Sequence, residues 1–123
     1  SRTLGSDDCA IMISYSGNNE NGEPMRYLPV LLDNQVPVIG ITSGGDNYLR
    51  KKLSCVLTIS SKERLYTKIS NFATEESIHF ILNCLFSCYF ARDFQNNNHF
   101  KLQHSKVLET HRVAVLNQMK DEK

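Results

Sequence analysis

Three short runs of the chain are apolar at nearly every position: 9–14 (CAIMIS), 36–42 (VPVIGIT) and 55–60 (CVLTIS). They are rich in Ile and Val and do not alternate with polar residues, which is the pattern of strands buried on both faces of a parallel sheet. Each run ends in a turn signal: Ser16-Gly17-Asn18-Asn19, Ser43-Gly44-Gly45-Asp46 and Ser60-Ser61-Lys62. Parallel neighbours need roughly a dozen connecting residues, and the stretches between the runs are long enough. The order read from the sequence is βαβαβ.

The first crossover, about 20–34, spaces Met25, Leu28 and Leu32 for one helical face, with Pro24 suited to a first turn and Pro29 expected to kink the helix or delay its start. In the second crossover Asp46 is the expected cap, with Leu49 and Leu53 inward and Arg50, Lys51 and Lys52 solvated. After the third strand the pattern is helical only. Asn71 or Thr74 is expected to cap a core helix over 74–92, with Glu75 and Glu76 at the positive end of its dipole and Ile78, Ile81, Leu82, Leu85, Tyr89 and Phe90 on one wide apolar face. The polar run 95–98 reads as a connector, and a last amphipathic helix is expected near 99–117, carrying Val107, Leu108, Val115 and Leu116.

Composition narrows the function classes. With 123 residues, 41% of them hydrophobic, the chain suits one domain, and its net charge of +1 lacks the basic excess of a nucleic-acid-binding arm. The longest apolar run, 78–89, is interrupted by His79, Asn83 and Ser87 and falls short of the roughly 20 apolar residues of a membrane span. No signal-peptide pattern opens the chain, so a cytoplasmic location is expected. The four cysteines, Cys9, Cys55, Cys84 and Cys88, lie in apolar segments and read as buried, reduced thiols, with no metal-ligand spacing.

In an open parallel sheet, ligands bind outside the carboxyl ends of the strands. The densest cluster of small hydrogen-bonding residues, Ser14 to Asn19, falls there. Unpaired amides, a glycine and uncharged side-chain donors suit an anion, phosphate above all. The same composition also describes a tight turn with a helix cap.

IMISYSGNNE followed by VPVIGITS resembles the Ser-x-Ser-Gly-x-Thr phosphosugar motif and next strand of the sugar isomerase (SIS) domain. The continuation KERLYTKIS…FATEESIHFILNCLFSCYF, closing with LETHR, is similar to the SIS domain of RpiR-type bacterial transcriptional regulators. The resemblance covers roughly 7–112. It implies a three-layer α/β/α, flavodoxin-like fold with a parallel sheet, and a phosphosugar site at Ser14, Ser16, Gly17, Asn18 and Asn19, with Asn19 standing where the family has threonine. Ser43 and Glu75 are expected near the sugar. The family's first strand, and the helix-turn-helix domain through which such regulators meet DNA, have no counterpart here, so the chain is expected to be an N-terminally truncated SIS domain.

The function so implied is a sugar-phosphate-sensing effector domain without catalytic residues, cofactor or metal; the alternative is a sugar-phosphate isomerase, in which Glu75, Glu76 or His79 would supply the base. His99, His104 and His111 read as surface residues, and Tyr15 as a flanking aromatic turned away from the serines. A homodimer or higher oligomer is expected, because the absent strand leaves an edge uncovered and Tyr89, Phe90 and Phe94 offer apolar surface.

Overall fold

A computed structural model describes residues 3–60, 62–64 and 66–108. The elements are β1 (Ala10–Ile13), a 3-10 turn (Met25–Tyr27), α1 (Leu28–Asp33), β2 (Val38–Ser43), α2 (Tyr48–Lys52), β3 (Cys55–Ile59), α3 (Phe72–Arg92) and α4 (Phe94–Leu108). The three strands form one parallel sheet in the order β1-β2-β3, with Ala10 opposite Val38 and Ile39 opposite Cys55. The chain is therefore a small α/β fold. Each strand lies within two residues of its expected bounds, because unbroken β-branched runs between turn residues leave little choice of register.

Two compact units divide the chain, residues 1–83 and 84–123. In the first, Met12, Met25, Leu28, Leu31, Val36, Val38, Leu49 and Leu53 form the core, and Ile41 and Ile59 are buried. The first crossover is not a helix from residue 20. Asn19 and Gly22 form a turn through Gly22 N–H to the Asn19 carbonyl (3.1 Å), and α1 begins only at Leu28, with Pro29 in its first turn. Asn-Gly turn chemistry thus outweighs the apolar spacing of Met25 and Leu28. Those side chains are nonetheless buried.

Three further expectations are corrected. Asn47, not Asp46, caps α2: its side chain accepts from Arg50 N–H (3.1 Å), while Asp46 pairs with Lys51. The helix meant for the core is Phe72–Arg92, yet Thr74 is its only buried residue; Phe80, Phe86 and Tyr89 are exposed. Its apolar side chains are distributed around the helix rather than gathered on one stripe, so no single face can bury them all. All four cysteines are exposed for related reasons: Cys9 precedes β1, Cys55 opens an edge strand, and Cys84 and Cys88 sit on α3.

In the second unit the polar run 95–98 is helical, not a connector. The break falls at Asp93, and Asn97 Nδ2 bridges it by donating to the Tyr89 and Phe90 carbonyls (3.2 and 3.3 Å), which lie in the last turn of α3 and lack helical partners. His99 and His104 are exposed on α4, His104 against the ring of Phe100. Val115, Leu116, His111 and the end of the helix expected to 117 lie outside the described residues.

Candidate functional site

The segment 14–19 leaves the carboxyl end of β1 and is fastened to the turn between β2 and α2. Ser14 N–H reaches the Ile41 carbonyl (3.0 Å), and the Tyr15 carbonyl accepts from both Ser43 N–H (3.0 Å) and Thr42 Oγ1 (3.1 Å). Ser43 thus stands beside the loop. Gly17 turns the chain with φ +63°, and Ser14 Oγ accepts its N–H at 3.2 Å. Only glycine fits: a Cβ here would stand 2.6 Å from Thr42 Oγ1 and 2.8 Å from Asn47 Cγ.

The opposite wall is the start of α2. Its first three amides all have partners: Tyr48 N–H donates to Asn18 Oδ1 (3.0 Å), Leu49 N–H to the Gly17 carbonyl (3.1 Å) and Arg50 N–H to Asn47 Oδ1. Asn47 is buried, and its Nδ2 donates to Thr42 Oγ1 (3.1 Å). The turn-and-cap reading therefore accounts for Asn18 and part of Gly17. Replacing Asn47 with alanine removes a cap and orphans the Thr42 contact, a loss of about 1–3 kcal/mol; denaturant midpoints of wild type and Asn47→Ala measure it.

What remains open on the loop is a set of donors. The N–H groups of Ser16, Asn18 and Asn19 donate to no described residue, Ser16 and Asn19 are exposed, and the Ser14 hydroxyl, as acceptor from Gly17, keeps its proton to give. Successive amides around a residue at positive φ form a concavity for an anion. A cation that sequence reasoning missed lies alongside: Lys68 Nζ is 5.9 Å from the Tyr15 ring centroid. Lys68 sits in an irregular segment 53 residues further along the chain, so only the fold could bring it to Tyr15.

The same irregular segment seals the start of α3. Glu63 Oε1 accepts from the Ala73 and Thr74 amides (2.7 and 3.3 Å), and Oε2 accepts from Thr74 Oγ1 (2.7 Å). The cap expected from Asn71 or Thr74 thus comes from a distant carboxylate. The Thr74 hydroxyl, the two amides and the charge of Lys68 hold the Glu63 carboxyl below its ordinary 4.5. A carboxyl lowered on folding stabilises the folded state above the unfolded value, and that stability drains away as pH falls through the lowered value. The melting-temperature gap between wild type and Glu63→Gln accordingly closes as pH drops below 4.5 in a thermal melt series.

Glu75 lies exposed in the first turn of α3 and makes no hydrogen bond or ion pair to the 14–19 loop. Glu76 instead lines a separate open cleft of about 490 Å³ with Thr58, Ser60, Ser77, Phe80 and Ile81. Among the described residues, no group of three or more His, Cys, Asp or Glu could hold a metal, and no helix is long and apolar enough to cross a membrane. Comparison with protein-family models, curated proteins and solved structures finds no match to this chain.

Proposed function

We propose that the 14–19 loop binds the phosphate of a sugar phosphate, and that the chain is the sensing domain of an RpiR-type transcriptional regulator with a flavodoxin-like SIS fold. The reading rests on the resemblance of the SYSG motif and the strand that follows it. One geometric observation supports it: at the carboxyl end of a parallel strand, three amides of a loop turned by a glycine at φ +63° have no partner among the described residues. Uncharged donors of this kind suit a phosphate group, and the positive charge of Lys68 over the Tyr15 ring adds attraction. Contact with DNA would belong to a separate domain.

Calorimetric titration with pentose and hexose phosphates, and with the unphosphorylated sugars, tests the reading. Binding is expected only with the phosphate present, weakened about tenfold in Ser16→Ala, in line with one lost hydrogen bond to a charged group. Equal affinity for wild type, Ser14→Ala and Ser16→Ala removes both hydroxyls from the site, and an Asn18→Pro protein, which lacks that loop amide, binding as tightly as wild type removes the loop.

A further inference from the structure

Arg50 leaves the first turn of α2, the helix whose amides hold the 14–19 loop. It is not solvated like Lys51 and Lys52, as its place in a basic run predicts; it is half-buried, and its guanidinium folds back over the carboxyl edge of the sheet. Nη2 donates to the Ser43 carbonyl (3.1 Å) and to Thr58 Oγ1 (2.5 Å), at the ends of β2 and β3. Nε is buried without a partner, and Nη1 makes no hydrogen bond to the described residues.

Among the described residues no carboxylate compensates this charge. Asp46 pairs with Lys51, and Glu63 is committed to the amides of α3. Glu76, which lines an open cleft with Thr58, forms no ion pair with it. Drawing a charge out of water without a counter-charge is unfavourable, and a buried donor left unpaired in a folded protein calls for a bound water or ion. The guanidinium is also the side chain best matched to carboxylate and phosphate oxygens.

The surroundings of Arg50 say where that anion comes from. Ser43 N–H donates to the Tyr15 carbonyl (3.0 Å) while the Ser43 carbonyl accepts from Arg50, so one residue separates the guanidinium from the loop. The span from the Tyr15 carbonyl to Nη2 is roughly 10 Å at most, which a five- or six-carbon sugar with an anion at each end can bridge. Thr58 Oγ1, as acceptor from Arg50, keeps its proton to give, and Ser60 adds a second hydroxyl in the same cleft.

We propose that Arg50 receives a second anionic group on the ligand whose phosphate the 14–19 loop holds, so that the ligand is a sugar phosphate carrying a carboxylate or a second phosphate at its far end. The inference rests on the phosphate reading and narrows its ligand class. A monophosphate with a neutral far end leaves the guanidinium uncompensated; a doubly anionic ligand completes it.

Calorimetric titration of the full chain with glucose 6-phosphate, 6-phosphogluconate and glucose 1,6-bisphosphate, and with the ribose counterparts of each, tests it, with circular dichroism to confirm that each variant is folded. Wild type is expected to bind a doubly anionic member of one series about tenfold tighter than its monophosphate, in line with one charge-assisted contact, and the tighter of the two names the second anion. In Arg50→Gln the gap closes while the affinity for the monophosphate is unchanged; Arg50→Lys, which keeps the charge without the planar fork, retains part of the gap. In 15N-labelled wild type, a readout that needs no folded variant, the Arg50 Nε–H signal moves with the doubly anionic ligand and not with the monophosphate. Equal wild-type affinity across a series that binds, a gap that persists in Arg50→Gln, or an Arg50 Nε–H signal that stays still overturns the proposal and leaves the phosphate reading standing. Absence of binding by every sugar phosphate overturns both.

Discussion

Gly17→Ala is expected to lower the unfolding midpoint by roughly 10 °C or more, or to prevent folding altogether. Two costs combine. A non-glycine residue at φ +63° costs about 1–2 kcal/mol, and a methyl group forced to within 2.6 Å of Thr42 Oγ1 and 2.8 Å of Asn47 Cγ adds about 1–3 kcal/mol of overpacking. Thr42 and Asn47 are buried and bonded to each other, so neither can swing aside. The sum, about 2–5 kcal/mol, is a large share of the roughly 5–15 kcal/mol that holds a small domain together. Gly17→Asn separates the two causes in a thermal melt. Asparagine tolerates the left-handed region but brings the same Cβ, so it stays severely destabilised if close approach dominates.

Leu49→Ala is expected to cost a comparable amount, about 2–5 kcal/mol, because Leu49 is fully buried and its removal leaves a cavity between α2 and the sheet. The cavity lies directly behind the loop, since Leu49 N–H also anchors the Gly17 carbonyl. Urea unfolding of Leu49→Ala beside Leu102→Ala, on the exposed α4, measures the difference. The second variant is expected within about 0.5 kcal/mol of wild type. A similar loss in both would mean that the core is not centred where Met12, Leu28 and Leu49 meet.

The parallel sheet was legible because its signal is redundant. Val38 to Ser43 is apolar on both faces, ends in glycines and follows a crossover-length segment, and each fact alone points to a strand. Pro29 likewise announced a late helix start, and α1 begins one residue before it. The helical region was legible only as helix. Phe80, Cys84, Phe86, Cys88 and Tyr89 are apolar in sequence, but apolarity says what a residue favours, not whether a neighbouring element is present to cover it.

The site shows the same division. Gly17, Ser43 and the 14–19 loop were readable from local order, because turn chemistry is local. Asn47 as the cap of α2 was missed although it acts locally, on Thr42 and Arg50, because Asp46 beside it is an equally suitable capping residue; Glu63 as the cap of α3 and Lys68 beside Tyr15 were not readable, because each acts on a segment well removed in sequence. Asn18 illustrates the limit of motif reading: its Oδ1 is committed to Tyr48 N–H, leaving its amide nitrogens as the donors for a ligand.

Backbone amide shifts of 15N-labelled protein, followed while a pentose or hexose phosphate is added, test the phosphate site most directly. The expected result is saturable movement confined to Ser16, Gly17, Asn18 and Asn19 with a smaller response at Ser43 and Lys68, reproduced in part by inorganic phosphate and absent with the free sugar. Saturable shifts that cluster elsewhere, such as around Glu76 and Phe80, or no shifts at millimolar sugar phosphate, would contradict it.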